Sequence, residues 1–150
     1  MIKHIKCDIF KSGADVICHQ VNCQGVMGSG IAKQVRDKYP KVYKAYKKVC
    51  TSDERLLGRT QIIPINESQS IANLFAQDNF GYDKQCYTDY SALINCLKQI
   101  YAFCPNKTIA IPYLMSCARG GGDWNIVYEI IEEIFGDSDC DVLICEYNGG

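Results

Sequence analysis

The sequence predicts an α/β fold: a three-layer α/β/α sandwich around a mixed, mostly parallel central sheet. Three observations carry this. An apolar run, Asp15-Val-Ile-Cys18, feeds through His19 and Gln20 into a glycine-rich stretch at residues 21–31 and then a helical pattern. A second run, Ile109-Ala-Ile-Pro112, leads into Ser116-Cys-Ala-Arg-Gly-Gly-Gly-Asp123 and another helical pattern. Two such units in one parallel sheet put both loops at strand carboxyl ends, where open α/β sheets bind ligands. Third, the strand-like runs 60–65 and 70–75 are separated only by a turn at Asn66-Glu-Ser68, which suggests an antiparallel hairpin and hence a mixed sheet.

Each element has its own signal. Residues 2–6 alternate apolar and polar, a short first strand that ends at Cys7-Asp8-Ile9, and Lys11-Ser-Gly-Ala14 is a turn before the more buried strand 15–20. After the glycine stretch, Ile31, Val35 and Tyr39 recur at helical spacing over 31–39. Pro40 breaks the pattern, since proline disfavours helix in the residue before it, and Val42, Ala45 and Val49 mark a second helix over 41–49. Residues 51–58 are polar and read as loop, as does the polar and aromatic stretch 78–87 around Gly81. Thr88 or Asp89 then caps a long helix with Tyr90, Leu93, Ile94, Leu97, Ile100 and Tyr101 on one stripe, ended by Pro105-Asn-Lys. Strand 108–112, the second loop, helix 124–135 and strand 141–146 complete the order β-β-α-α-β-β-α-β-α-β.

At 150 residues the chain is read as one domain. Sixteen basic and seventeen acidic side chains give a formal charge of −1, so no global electrostatic case for nucleic acid or membrane arises. Seven Lys or Arg fall between Lys33 and Lys48, but they alternate with apolar residues at helical spacing and read as a solvated helix face. Ten cysteines are many, yet none forms a C-x-x-C pair, and Cys18, Cys96 and Cys145 lie in apolar runs where a thiol behaves as a small hydrophobe. With no signal-peptide core after Met1 and no apolar run of membrane-spanning length, reduced thiols in a cytoplasmic protein are expected. His4 and His19 are the only histidines and no ligand spacing appears, so no metal site and no cofactor are expected.

The chemistry points to the two loops. Gly25, Gly28 and Gly30 follow the spacing G-x-x-G-x-G, neither a Walker A loop nor a G-x-G-x-x-G fingerprint. Glycines there let a ligand approach the backbone, and the free N–H groups of the following helix turn favour an anion such as phosphate. Two facing anion loops suit a diphosphate.

At these residues the chain resembles the macrodomain family. The resemblance covers essentially the whole chain, through Asp8-Ile9, Val21-Asn22, Gly25-Val-Met-Gly-Ser-Gly-Ile-Ala32, Asn73-Leu-Phe-Ala-Gln77, Tyr87-Thr-Asp-Tyr90 and Gly120-Gly-Gly-Asp-Trp124. It implies binding of ADP-ribose and hydrolysis at the distal ribose. The subgroup most resembled includes phage and bacterial ADP-ribose-1''-phosphate phosphatases; near neighbours hydrolyse ADP-ribose esters on proteins or ADP-ribosylated DNA bases. A glycohydrolase acting on protein or nucleic-acid adducts and a non-catalytic binding module are the alternatives. The expected partner is ADP-ribose or a derivative, with ADP-ribosylated protein or nucleic acid as possible substrates; no membrane partner is expected and the protein is read as a monomer.

The resemblance also implies roles. Asp8 accepts from the adenine amino group, beside a backbone donor at Ile9. Gln20 and Asn22 join the ligand set, Asn22 at the ribose nearest the reaction. Gly25, Val26, Met27, Gly28, Ser29, Gly30 and Ile31 wrap that ribose and one phosphate. Ser116, Cys117, Ala118, Arg119, Gly120, Gly121 and Gly122 hold the diphosphate from the other side, and Tyr147 stacks on adenine. Two departures stand out. Gln77 occupies the place where esterase-type relatives carry a nucleophilic Lys, with Lys84 seven residues on, and a Gln cannot form a Schiff base. Met115-Ser116-Cys117 replaces the relatives' Gly-Cys-Gly. For catalysis, Asp123 at a helix start is the leading candidate to orient or deprotonate water, with Asn22 beside it; Asp123 is equally an N-cap. His19 is a second-tier catalytic candidate, on the face opposite Gln20, and reads more readily as a buried, hydrogen-bonded strand residue. Cys23 and Cys117 lie near the loops without a partner His and are poor nucleophile candidates.

Overall fold

The structure, a computed structural model, describes residues 1–83, 85–117 and 120–147. Six strands, β1 (Ile2–Lys6), β2 (Val16–Asn22), β3 (Thr60–Pro64), β4 (Ser70–Gln77), β5 (Thr108–Pro112) and β6 (Asp141–Glu146), form one sheet in the order β1-β6-β5-β2-β4-β3. All neighbours are parallel except β3 and β4, which form the expected antiparallel hairpin from Thr60↔Leu74 to Pro64↔Ser70. Four helices, α1 (Gly30–Lys38), α2 (Pro40–Cys50), α3 (Tyr90–Phe103) and α4 (Trp124–Phe135), cover the two faces.

Period-two alternation sorts the core into two clusters. Val16 and Cys18 of β2 join Ala72, Leu74 and Ala76 of β4 beneath α3 and α4, where Leu93, Leu97, Ile100, Val127, Ile131 and Phe135 are buried. Ile17 and Val21 face the other way, with Ile71 and Phe75, against Val35 of α1 and Val42 and Tyr46 of α2. Lys41, Lys44, Lys47 and Lys48 occupy the exposed side of α2, opposite Val42 and Tyr46, which is the solvated face the sequence suggests.

The boundaries shift in three places. Proline does not leave a gap between the first two helices: Pro40 is the first residue of α2, where its missing N–H is no loss, and Tyr39 serves as the cap of both. β2 and β4 run further than the expected 15–20 and 70–75, reaching Asn22 and Gln77. Asp89, not Thr88, caps α3 by accepting from the Ala92 amide at 2.9 Å. On α3, Tyr101 is 49% exposed despite its place on the apolar stripe, resting at the margin against Phe135.

One irregularity positions the site. β2 pairs with β5 only at Val16↔Ile109 and Ile17↔Ala110, while its pairing with β4 continues to Gln77. The two strands part toward their carboxyl ends, in the middle of the sheet.

Candidate active site

A cavity of about 390 Å³ opens where β2 and β5 part. Its lining comes from β2 (His19, Gln20, Asn22), the first glycine loop and the start of α1 (Val26, Gly28, Ser29, Gly30, Ile31), the end of β4 (Gln77), and the turn after β5 (Tyr113, Leu114, Ser116), with Gly120 behind.

Asn22 builds the first loop. The register with β4 shifts between Val21 and Asn22, leaving Ala76 of β4 as the extra residue of a bulge. By parity Asn22 belongs with Cys18 and Gln20 on the α3/α4 face; the bulge swings it to the α2 side instead. There the buried Tyr46 hydroxyl donates to both the Asn22 carbonyl, at 2.7 Å, and its Oδ1, at 2.8 Å. Burial pushes the Tyr46 phenol far above its ordinary pKa and keeps it a donor. Oδ1 also accepts from the amides of Gln24 (3.0 Å) and Val26 (3.4 Å), and Nδ2 donates to the Val26 carbonyl at 2.9 Å. One Nδ2 proton is left for a ligand. Gly25, at φ +81°, and Gly30, at φ +59°, supply the left-handed torsions that carry the loop into α1.

Gln20 organises the second loop from the opposite face. Its Nε2 donates to Gln77 Oε1 (2.8 Å) and Thr88 Oγ1 (2.9 Å), while Ser116 Oγ donates to its Oε1 at 2.5 Å. The Thr88 hydroxyl lies within hydrogen-bond distance of the Ser116 carbonyl (2.8 Å) and the Gly120 carbonyl (3.1 Å), and the Tyr87 and Thr88 amides donate to Gly120. Thr88, which the sequence offered only as a helix cap and as part of the 87–90 stretch, therefore anchors the loop. Gly120 is walled in: a Cβ there would meet Thr88 Oγ1 and stand 2.6 Å from the Ser116 carbonyl.

The expected site residues divide accordingly. Gln20, Asn22, Val26, Gly28, Ser29, Gly30, Ile31, Ser116 and Gly120 line the cavity. Both protons of the Gln20 Nε2 are engaged and its Oε1 holds Ser116, which makes it a strut between loops. Gly25, Cys117, Gly121 and Gly122 shape the loops from outside the lining, and Met27, 1% exposed, is a core anchor. Ala118, Arg119 and Lys84 lie outside the described residues. Asp8, Ile9 and Tyr147 lie outside the cavity: Asp8 caps a single 3-10 turn, Ile9–Lys11, just after β1, Tyr147 follows β6, and the two segments meet where the Cys7 amide donates to the Glu146 carbonyl at 3.0 Å. Asp8 accepts from the Phe10 amide at 2.9 Å, and Tyr147 is 62% exposed.

Asp123 ends the second loop, close enough to Cys117 for its charge to act on that thiol, but lies outside the cavity lining. It is exposed, accepts from the Asn125 amide at 2.9 Å as the N-cap of α4, and is not among the lining residues. Among the described residues the lining holds no Asp, Glu, Lys or Arg, and its one titratable imidazole is His19. Gln77, 7% exposed, donates to the Asn79 carbonyl at 2.8 Å and offers no nucleophile where relatives have Lys. Burial pushes the Cys23 and Cys117 thiols up to about 11, so neither is a thiolate near neutrality. No group of metal-ligating side chains occurs among the described residues.

Comparison with known proteins fits this geometry. The ADP-ribose 1''-phosphate phosphatase of Scheffersomyces stipitis is 34% identical over 135 residues, covering 74% of this chain and 75% of that protein. The solved macrodomain of Mycobacterium tuberculosis DarG superposes with a TM-score of 0.81 at 25% identity, covering 97% of both chains. The chain belongs to the macrodomain family. This macrodomain is also 28% identical over 155 residues to the DNA ADP-ribosyl glycohydrolase of Mycobacterium tuberculosis, a match that takes in all of the chain but only 43% of that relative's length. No protein-family model matches the sequence. Within the macrodomain the two glycine loops stand at the parting of β2 and β5, the position at which the connections leave the sheet in opposite directions.

Proposed function

We propose that this macrodomain binds ADP-ribose across the cavity and hydrolyses ADP-ribose derivatives at the distal ribose, most readily by removing the phosphate of ADP-ribose-1''-phosphate. One observation carries the reading: a glycine loop running into the N-terminus of α1 faces a second glycine loop across a cavity of about 390 Å³ at the parting of β2 and β5. Asp8 accepts from the adenine amino group beside the Ile9 amide, with Tyr147 stacked on the base. The second loop, Ser116 to Gly122, holds the diphosphate. The amides from Gly28 to Ile31 take a phosphate and, with the dipole of α1, stabilise the charge that develops on it. The free Nδ2 proton of Asn22 points the distal ribose. With Asp123 turned to its helix, Asn22 and the loop backbone are left to position the attacking water, whose oxygen bonds to phosphorus as the ribose oxygen leaves, giving ADP-ribose and inorganic phosphate. Gln77 in place of Lys supports hydrolysis without a lysyl adduct.

A second reading has its own support. Val26, Phe80, Tyr82, Tyr113 and Leu114 give the cavity an apolar, aromatic margin, which suits a flat leaving group such as an ADP-ribosylated base. The protein is further read as a monomer of the cytoplasm; all ten cysteines are free, and no helix among the described residues is long and apolar enough to cross a membrane. Incubation with ADP-ribose-1''-phosphate, an ADP-ribosyl-glutamate peptide and an ADP-ribosylated oligonucleotide tests the assignment. Release of inorganic phosphate from the first, well above release from the others, is expected. Preferential cleavage of the oligonucleotide moves the assignment to the second reading, and calorimetric binding of ADP-ribose with no turnover makes the protein a binding module.

A further inference from the structure

His19 lines the cavity, is 2% exposed, and carries a ring nitrogen, Nδ1, that is buried without a hydrogen-bond partner among the described residues. The other nitrogen is part of a buried relay. Nε2 lies 2.5 Å from Asn73 Oδ1, Asn73 Nδ2 donates to Gln61 Oε1 at 3.0 Å, and Gln61 Nε2 donates to the Ala45 carbonyl of α2 at 3.2 Å. A backbone carbonyl only accepts, so the relay has one direction. Ala45 sets the Gln61 amide, Gln61 sets the Asn73 amide, and Asn73 then presents an oxygen to His19, which fixes the imidazole proton on Nε2. Nδ1 is left as a bare lone pair. Burial, which holds the imidazole down at about 4, keeps it so at neutral pH.

We propose that His19 Nδ1 accepts a hydrogen bond from a hydroxyl of the bound ligand, making His19 a positioning residue that selects and orients a hydroxyl-bearing sugar. The identity of that sugar as the distal ribose of ADP-ribose rests on the function proposed above. A phosphate or carboxylate oxygen set against this lone pair would be repelled, so the anion is directed to the amides at the start of α1 and the sugar to the imidazole. The relay on the far side of the sheet thereby controls what the cavity accepts. Gln61 and Asn73 take no part in the lining, yet they determine whether Nδ1 is acceptor or donor.

Long-range ¹H–¹⁵N spectra of protein labelled with ¹⁵N-histidine read this directly. The chain has only two histidines, and the half-exposed His4 serves as the internal control. The expected result is a His19 Nδ1 resonance of the unprotonated type that moves upfield on saturation with ADP-ribose, while Nε2 stays protonated and His4 is unmoved. ADP, which lacks the distal ribose, should leave Nδ1 in place. Gln61→Leu should weaken ADP-ribose binding about tenfold or more while changing ADP binding little, and its spectrum should show Nε2 no longer uniformly protonated. Calorimetric binding of ADP-ribose with an unmoved Nδ1 overturns this proposal and leaves the proposed function standing. A shift produced equally by ADP overturns the assignment to the distal ribose. Absence of ADP-ribose binding overturns both.

Discussion

Asp123 ties its carboxylate to the Asn125 amide, so its removal should be felt by the helix and not by the reaction. Asp123→Ala should lower stability by about 1 kcal/mol, the usual effect of deleting a cap, and leave turnover of ADP-ribose-1''-phosphate within a few fold; thermal melts and phosphate release measure the two. His19 makes a pH-dependent contribution of known sign. Its folded-state pKa is lowered from 6.5 to about 4 by burial. Above pH 6.5 the imidazole is neutral folded and unfolded alike, with no effect. As pH falls through the window from 6.5 to 4 the unfolded chain takes up a proton that the folded one refuses, and stability is lost, on the order of 3 kcal/mol in full. Urea titrations between pH 7 and pH 4 should show this slope, and the paired change His19→Phe with Asn73→Leu should flatten it.

At the scale of elements, the second loop is held by a single close-packed node. Gly120→Ala would drive a methyl into Thr88 Oγ1, the Ser116 carbonyl and Gln20 Nε2 together. It should cost about 1–3 kcal/mol of stability through overpacking and weaken ADP-ribose binding, whereas Gly28→Ala, whose nearest contact is Val26 Cγ1 at 3.6 Å, should be tolerated by the fold. Circular dichroism melts and calorimetry on the two variants separate the effects. The contrast also shows what was legible beforehand. The elements were readable because apolar spacing is a local property: every strand and helix expected from it is present. Both loops were readable from their glycines. The bulge that turns Asn22 toward Tyr46 was not, because it depends on the β4 register and on an α2 hydroxyl 24 residues away. Nor was the Gln20–Thr88–Ser116 node, whose members are brought together by topology alone; for Asp123, two equally good local readings stood side by side, and the structure shows the cap.

For the molecule as a whole, the site joins segments from both sides of the sheet's midline, so a ligand bridging them should stabilise the entire fold. ADP-ribose at a hundred times its dissociation constant should add about 2.7 kcal/mol, a rise in Tm of roughly 5–10 °C for a domain of this size, and differential scanning fluorimetry should register it. The sheet's edge carries a different consequence. Among the described residues β1 is paired only to β6, from Ile2↔Val142 to Lys6↔Glu146, so the earliest of the six strands to be synthesised has its sole neighbour in the latest of them. At about 5–20 residues per second of synthesis, that strand waits on the order of ten seconds or more, unpaired, for its template. Lys3 and Lys6, one on each face of this short strand, suit such a delay, since lysines on an edge strand discourage pairing with other nascent chains. The strand ends that carry Asp8 and Tyr147 are then joined only once β6 has been made, so the place proposed above for the base is absent from a chain cut short before β6, however well its centre has folded.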